Sequence, residues 1–237
     1  TLNILRQKYD AMTLRAGGKQ EYAAQICCSF LAGEDRTFSR DLISWSDESP
    51  RDLARNKLAY VCIDTSKGIV DPTAIWAWGN GADKRHYWIG GTRKKMDPAD
   101  TEFHETIFNI VMLYSNLCER VVEVRVEQLQ QMTWAAMIAA NLRARGCHVP
   151  VIPCSAPVRK TGQFKNAKQE REWACWKPPL DAGLIVFPKM IKDGGFGVKY
   201  KTEKGATEDL VEYFVEHEML RFPKSAHDDL LDAGALL

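Results

Sequence analysis

The sequence lacks the features that mark several large classes of protein. It has no run of about 18 consecutive apolar residues, which a membrane-spanning helix needs, and no basic, apolar and small-residue succession typical of a signal peptide. Its seven cysteines are an odd number without a CxxC pair, so neither a disulfide framework nor a zinc site is indicated. With 237 residues, 45% hydrophobic and 27% charged, we expect a soluble, globular and cytosolic protein.

A phosphate-binding loop of the form GxxxxGK[ST] is also missing. The segment RAGGKQ comes nearest, but it lacks the first glycine at the right distance and a hydroxyl residue after the lysine. We therefore expect neither ATPase nor translocation activity from this chain.

Charge is distributed unevenly along a chain whose formal net charge is only +1. Between Arg159 and Lys204 there are eleven Lys or Arg and five acids, a balance of +6, and from Gly205 onward two basic residues and eight acids, a balance of −6. A basic segment followed by an acidic one is consistent with a surface for a polyanion beside a separate cluster for cations. The alternative is two solvated faces of opposite sign.

The pattern of apolar residues changes near Leu58. Residues 1–55 are polar, apart from an amphipathic stretch over 21–33, and indicate a linker or an appended arm. Apolar, β-branched and aromatic runs then predict strands over residues 58–64, 73–79, 86–92, 121–128, 148–154 and 182–188. Helical periodicity predicts helices over residues 100–117, 131–146, 165–180, 207–220 and 227–237. A meander followed by alternating helices and strands predicts an α/β fold with a mixed sheet flanked by helices.

Three acids close predicted strands or open a predicted helix. Asp64 and Glu127 each end a strand, and Asp229 opens the last helix. Strand ends are favoured places for sites, because the frame is rigid and the edge faces a crevice. Carboxylates collected there repel one another unless a cation lies between them, and Mg²⁺ or Mn²⁺ prefers such oxygen ligands. The pattern therefore favours a metal site.

The start of the last helix carries two further acids. Asp228, Asp229 and Asp232 share one helical face, so they place negative charge beside negative charge. That arrangement lowers stability unless something cationic neutralises it. Metal binding is the explanation that we favour.

Each acid also has a structural interpretation. An Asp at a strand end is often a turn or cap residue, and Asp71 is interpreted as one. Glu123, Arg125 and Glu127 alternate onto one face of a strand, so Glu123 competes with Glu127 for a metal role or forms a salt-bridged face. His227 is either a partner of the site or a surface capping residue.

Four segments, in this order and at these separations, resemble the nuclease domain of the large terminase subunit of tailed bacteriophages. They are YVCIDTSKGIVDPTAIWAWG, VRVEQ, KQEREWACWKPPLDAGLIVFPK and MLRFPKSAHDDLLDAGALL. The most specific element is FPKSAHDDLLDA, because a Phe-Pro pair shortly before HDDxxDA is hard to obtain by chance. The resemblance covers residues 58–237.

The resemblance implies a ribonuclease H-like fold with a mixed five-stranded sheet, and a two-metal endonuclease that cuts double-stranded viral DNA concatemers with Mg²⁺ or Mn²⁺. Asp64 matches the first-strand aspartate that bridges both ions, Glu127 the mid-domain acid and Asp229 the C-terminal aspartate, and these three are the expected catalytic residues. Asp228 and Asp232 are expected as further ligands. Related Holliday-junction resolvases carry two acids three apart in the last helix, which favours Asp229 together with Asp232.

Basic residues of two segments are expected to hold DNA phosphates without reading the base sequence. They are Arg159, Lys160, Lys165, Lys168, Arg171, Lys199 and Lys201. Glycines at positions 194, 195 and 197 are expected to let the second segment move over the duplex. A solvated helix face is the alternative interpretation.

The resemblance also implies partners and a setting. The partners are double-stranded DNA, an ATPase motor domain of the same full-length protein, the portal and the small terminase subunit, in the host cytoplasm, with no membrane and outside the mature virion. Because Thr1 comes first and no phosphate-binding loop follows, we interpret residues 58–237 as a nuclease domain and residues 1–55 as the tail of an interdomain linker. Two alternatives remain open: another ribonuclease H-like DNA nuclease, of resolvase or transposase type, and a non-catalytic DNA-binding packaging module.

Overall fold

The computed structural model of the chain describes residues 38–65, 71–127, 134–154, 167–225 and 227–237. The strands in these ranges are β1 (Ser44–Ser46), β2 (Leu58–Asp64), β3 (Thr73–Asn80), β4 (His86–Lys94), β5 (Arg120–Glu127), β6 (Val151–Cys154), β7 (Ile185–Pro188), β8 (Lys199–Lys201) and β9 (Thr207–Asp209). The α-helices are α1 (Pro50–Ala54), α2 (Thr101–Leu117), α3 (Trp134–Ala144), α4 (Ala167–Asp181), α5 (Leu210–Tyr213) and α6 (Asp229–Gly234). After α5 the chain continues as a π-helical segment, Phe214–Glu218, and a 3-10 turn, Met219–Arg221.

Seven of the described strands form one mixed sheet in the order β1-β7-β4-β3-β2-β5-β6. Short connections join β2, β3 and β4 into an antiparallel meander. Strands β5 and β6 continue the sheet in parallel beyond β2, and their crossovers contain α2 and α3. The part β4-β3-β2-β5-β6 is the expected mixed five-stranded sheet. Strands β7 and β1 extend it by two parallel strands at the β4 edge, so the observed sheet is wider than expected.

The first face of the sheet is covered by α4, α5 and α6 and is rich in tryptophan. Trp76 stacks on Trp88 with ring centroids 3.7 Å apart, and both belong to adjacent strands of the meander. Trp176 of α4 and Phe214 contact Trp76 with their edges. Large buried aromatic rings of this kind supply most of the hydrophobic stabilisation of a core. They also leave α6 resting directly on β2 and β3.

The opposite face is aliphatic and is covered by α2 and α3. Ile63 and Ile75 of the sheet pack there with Phe103 and Ile107 of α2, all nearly inaccessible to water. Because side chains alternate along a strand, the residues on either side of Ile63 point to the tryptophan face. Asp64 is one of them, so the alternation of β2 places this carboxylate beneath α6.

Residues 38–54 pack against the sheet although they precede the apolar run of β2. Phe38 is buried against Phe222 with ring centroids 5.2 Å apart, and β1 pairs with β7. Helix α1 begins at Pro50 and is capped by Ser49, whose side chain accepts a hydrogen bond from the amide of Asp52. The arm predicted over residues 1–55 thus has its last part in the folded unit, and residues 1–37 lie outside the described residues.

The acidic segment before the last helix differs from the predicted single helix over residues 207–220. Its first three residues form β9, which pairs with β8 in a two-stranded sheet. The Asp209 carboxylate binds the amides of Ile191, Val198 and Val211, which fixes the strand end and starts α5. No helix in the described ranges has both the length and the apolarity that a membrane crossing requires.

Candidate metal centre

Strands β2 and β5 bring two of the predicted acids to one edge of the sheet. The strands are parallel neighbours, with Cys62 opposite Arg125 and Ile63 opposite Val126, so their carboxyl ends meet. Asp64 is the last residue of β2 and Glu127 the last residue of β5. The alternation of side chains along each strand points both carboxylates to the tryptophan face.

Helix α6 lies across this edge and adds a third carboxylate. Oxygen atoms of Asp64, Glu127 and Asp232 lie within 4.8 Å of one another, which we call the inner acid group. Asp232 is only 4% exposed, one turn into α6, between the buried residues Leu231 and Ala233. The structure therefore brings together acids from two strand ends and the last helix, as the sequence pattern predicts. The acid that the last helix contributes is Asp232.

A second set of carboxylates shares Asp232. Oxygen atoms of Glu172, Asp228 and Asp232 also lie within 4.8 Å of one another, and we call this set the outer acid group. Glu172 extends from α4 and is 1% exposed, whereas Asp228 precedes α6 and is half-buried. Asp232 therefore belongs to both acid groups.

The inner acid group is electrostatically strained without a cation. Burial, hydrogen bonding with Glu127 and the negative charges of Glu127, Asp232 and Asp229 raise the pKa of Asp64 well above its ordinary value. The available donors are carboxylate oxygens alone, which match the preference of Mg²⁺ and Mn²⁺ for hard oxygen ligands. The residues present fit a divalent cation, which would remove the repulsion.

Asp229 points elsewhere. Arg93 of β4 donates to its Oδ2 from Nη2 at 2.9 Å and from Nε at 3.2 Å. Arg93 lies in register with Asp64 across the sheet, since Ala74 of β3 pairs with both residues. Burial raises the pKa of Asp229, and the Arg93 guanidinium opposes that rise. The aspartate favoured by the sequence is therefore held by an arginine, while Asp232 occupies the place beside Asp64 and Glu127.

The other candidates near the site also have defined positions. Glu123, the competitor of Glu127, accepts a hydrogen bond from Arg125 Nε at 2.6 Å. His227 is half-exposed, with its Nδ1 4.0 Å from Asp229 Oδ2. Asp71 is exposed, in a bend two residues before β3 begins. Of the two glutamates on β5, Glu127 is the one that the structure brings into an acid group.

The predicted DNA-binding residues fall into two sets. Lys199 and Lys201 are exposed on β8 on either side of buried Tyr200. Lys168 and Arg171 lie on α4, but their side chains are outside the description, and Arg159, Lys160 and Lys165 are outside the described residues altogether. The expected mobility of the segment around Gly194 is likewise untested.

Sequence reasoning missed Glu172, Arg93 and Glu218. Two of them are charged residues inside apolar or aromatic stretches, Glu172 in REWACW and Glu218 in FVEHEML, whereas Arg93 precedes two lysines and carries no such signal. Ionisable residues are seldom fully buried unless they are paired or bound, so a charge inside an apolar run is the signal that could have identified the two glutamates. Glu172 belongs to the outer acid group, and the other two residues surround the start of α6.

Comparison with known proteins gives a likeness of fold. No family model and no curated protein sequence matches the chain. Among solved structures, a human cytomegalovirus terminase nuclease domain, Mn soaked and inhibitor bound, is similar at 15% identity and a TM-score of 0.52, over 82% of this chain and 87% of that one. The P22 large terminase nuclease domain matches at 14% identity and a TM-score of 0.42, over 86% and 90% of the two chains. A yeast mitochondrial Holliday junction resolvase matches at 10% identity and a TM-score of 0.41, over 79% and 80%.

At these identities the likeness concerns the arrangement of strands and helices, and the cytomegalovirus domain alone of these three exceeds a TM-score of 0.5. Its mixed sheet flanked by helices corresponds to the sheet described above. The chain therefore has the ribonuclease H-like fold that terminase nuclease domains share.

Proposed function

We propose that the protein is a metal-dependent nuclease that hydrolyses phosphodiester bonds of double-stranded DNA. The observation that carries this proposal is the inner acid group, in which Asp64, Glu127 and Asp232 converge within 4.8 Å at one edge of the sheet. Mg²⁺ or Mn²⁺, when bound, supplies an activated water and stabilises the charge that develops on the phosphate. The fold shared with terminase nuclease domains agrees with this chemistry.

The two acid groups support a pair of ions. Asp64 and Glu127 would hold one ion, Glu172 and Asp228 the other, and Asp232 would contribute to both because it belongs to both groups. The resemblance of the sequence implies that Asp64 would be the ligand shared by both ions. Because Asp232 belongs to both acid groups, the structure favours Asp232 as the shared ligand instead. Arg93 keeps Asp229 out of the inner acid group and offsets part of the negative charge nearby.

DNA phosphates would contact the β8–β9 hairpin. Lys199 and Lys201 are exposed on it, and Tyr200 between them is buried. Burial and the negative charge of Glu208 raise the pKa of Tyr200 to about 12, and the positive charge of Arg93 opposes this rise. Positive side chains on an exposed hairpin provide affinity for phosphates without base recognition. Arg159, Lys160, Lys165, Lys168 and Arg171 stay proposed DNA-binding residues on the sequence pattern alone.

We propose genome packaging as the biological setting. The resemblance of residues 58–237 suggests viral DNA concatemers as the substrate, in the host cytoplasm, with an ATPase motor domain, the portal and the small terminase subunit as partners. A preference for linear duplex over four-way junctions in a cleavage assay supports this setting. The opposite preference supports the resolvase type of ribonuclease H-like nuclease.

The proposal is tested by plasmid cleavage with Mn²⁺, Mg²⁺ or EDTA. We expect cleavage only with a divalent ion, and a loss of at least about 100-fold in Asp64→Asn and Asp232→Asn, because each removes an oxygen donor from the inner acid group. Asp229→Asn is expected to lose less activity than Asp232→Asn. The matched control is Asp47→Asn, a carboxylate whose side chain is 92% exposed.

Circular dichroism establishes that each variant is folded before its activity is compared. A wild-type chain that binds duplex DNA equally well in EDTA and cuts nothing with either ion contradicts the proposal and favours the DNA-binding module. If Asp229→Asn is inactive and Asp232→Asn is fully active, the ligands are the ones favoured by the sequence, and the assignment of Asp232 is wrong.

A further inference from the structure

Glu218 is a fully buried carboxylate that belongs to neither acid group. It is 0% exposed and ends the π-helical segment that precedes the last helix. Its Oε2 accepts hydrogen bonds from the backbone N–H groups of Leu230 at 2.9 Å and Leu231 at 3.0 Å. These amides lie in the first turn of α6, where backbone donors have no partner within the helix. Glu218 therefore caps α6 from a separate segment of the chain.

Arg93 connects this cap to the sheet. Its guanidinium binds Asp229, lies 3.9 Å from Glu218 Oε1 and rests over the Tyr213 ring at 4.7 Å. Arg93 is itself only 14% exposed, so its position is fixed by packing on several sides. The first turn of α6 is consequently attached to β4 through a side chain and to the π-helical segment through two backbone bonds.

The residue that follows this fixed turn is Asp232. Its neighbour Leu231 is held on both sides, because Glu218 accepts from its N–H and the Trp176 indole donates to its carbonyl at 2.9 Å. A helix of six residues has little stability of its own, so such outside contacts determine its orientation. A small rotation of α6 would move the Asp232 carboxylate away from Asp64 and Glu127.

We propose that Glu218 is a positioning residue, which sets the orientation of α6 and so holds Asp232 between the two acid groups. The inference rests on the proposed function, since it assigns Glu218 to the same metal centre. The effect passes through the backbone of Leu230 and Leu231 rather than through contact with an ion. Partners that orient ligands in this way affect metal affinity strongly without being ligands.

A different contribution of Glu218 would be the negative charge of its ionised form, which attracts any nearby cation. Two substitutions separate the effect of the charge from the effect of the side-chain length. Glu218→Asp keeps the charge but shortens the side chain, so its oxygen no longer reaches both amides. Glu218→Gln keeps the length and an acceptor oxygen but removes the charge. Positioning predicts that the aspartate variant is impaired and that the glutamine variant retains function, whereas attraction by charge predicts the reverse.

The experiment measures Mn²⁺ affinity of the whole chain by isothermal titration calorimetry, together with the Mn²⁺ concentration that gives half-maximal plasmid cleavage. We expect Glu218→Asp to bind Mn²⁺ about 10-fold more weakly. Glu218→Gln is expected to bind close to the wild-type value. Ile107→Val is the destabilised control, because it lies in the aliphatic core against the opposite face and should leave Mn²⁺ affinity unchanged.

Equal Mn²⁺ affinity in wild type and Glu218→Asp overturns the inference, and so does a 10-fold loss of affinity in Glu218→Gln. Glu218→Met, which fills similar space without an acceptor, takes the place of Glu218→Asp if the latter does not fold. A wild-type chain that binds no Mn²⁺ contradicts the proposed function itself. The two failures are therefore distinguishable by the wild-type titration.

Discussion

Glu218 illustrates the energetic consequence of burying one acid. Burial and the neighbouring charge of Asp229 raise its pKa from 4.5 to about 8, while the amides of the α6 first turn and Arg93 oppose the rise. Between these two pH values the folded chain holds a proton that the unfolded chain has released. The contribution of Glu218 to stability is therefore complete below its unfolded pKa near 4.5 and declines as the pH rises through about 8.

Glu218→Gln should remove this dependence, since an amide cannot ionise and keeps an acceptor for the two backbone donors. Relative to wild type, we expect the free energy of unfolding of the variant to increase by on the order of 3 kcal/mol between pH 5 and pH 8. Urea unfolding at several pH values, without divalent ions, measures the difference. A constant difference across this range shows that Glu218 keeps an ordinary pKa in the folded protein.

At the scale of single residues, the sequence predicts an acid when its position has a local signature. Asp64 and Glu127 end apolar strands, so both were identifiable as candidates, and their roles stay predictions. Asp229 and Asp232 are one turn apart on a six-residue helix, and only the orientation of α6 decides which carboxylate lies beside Asp64. That orientation depends on Glu218 and Arg93, which are distant in sequence.

At the scale of elements, α6 is held by tertiary contacts at both ends. Glu218 caps its first turn, and the Trp78 indole donates to the carbonyl of Gly234 at 3.2 Å at its other end. Trp176 packs against the same end so closely that a Cβ on Gly234 would lie 2.3 Å from its Cζ2. The glycine is required by this close approach of the helix backbone to an indole ring.

Gly234→Ala should therefore destabilise the protein, by about 2 kcal/mol, because the Trp176 ring is confined by the other aromatic residues of its core and cannot move freely. Combining the change with Trp176→Phe, which removes the crowded part of the ring, should give a double variant that is more stable than the sum of the single effects predicts. Thermal and urea unfolding of all four proteins measure the coupling. If the two substitutions change the free energy of unfolding additively, the Trp176 ring does not restrict the space available to a side chain at position 234.

Elements with a strong periodic pattern agree with the sequence prediction. Strands β2 to β5 and helices α2 and α3 were predicted at nearly their observed positions, because each has a continuous apolar face. Strand β1, three residues long, was missed, and β9 was assigned to a helix. Strand β1 depends on its pairing with β7, and the end of β9 depends on the side chain of Asp209. Neither strand therefore leaves a local periodic signal in the sequence.

At the scale of the whole molecule, the sheet has two chemically different ends. The acid groups lie at the end where Asp64 pairs with Ala74, and the turn that joins β3 to β4 lies at the opposite end, beyond the pair of Leu58 and Asn80. The fold places the β8–β9 hairpin beside β4, with Tyr200 near Arg93, and Arg93 belongs to the end of the sheet where Asp64 pairs with Ala74.

The combined substitution Lys199→Gln and Lys201→Gln should therefore weaken binding to duplex DNA and reduce the slope of log affinity against log salt by about 1 to 2, as expected when two phosphate contacts are lost. Fluorescence anisotropy with EDTA present, which prevents cleavage, measures both quantities. The control is Lys84→Gln with Arg85→Gln, two exposed positions in the β3–β4 turn that remove the same charge at the far end of the sheet. Since the loss of net charge is identical, equal weakening by both pairs means that DNA responds to overall charge and that the β8–β9 hairpin is not its binding surface. Weakening by the β8 pair alone locates the duplex over the β8–β9 hairpin, at the β4 side of the sheet.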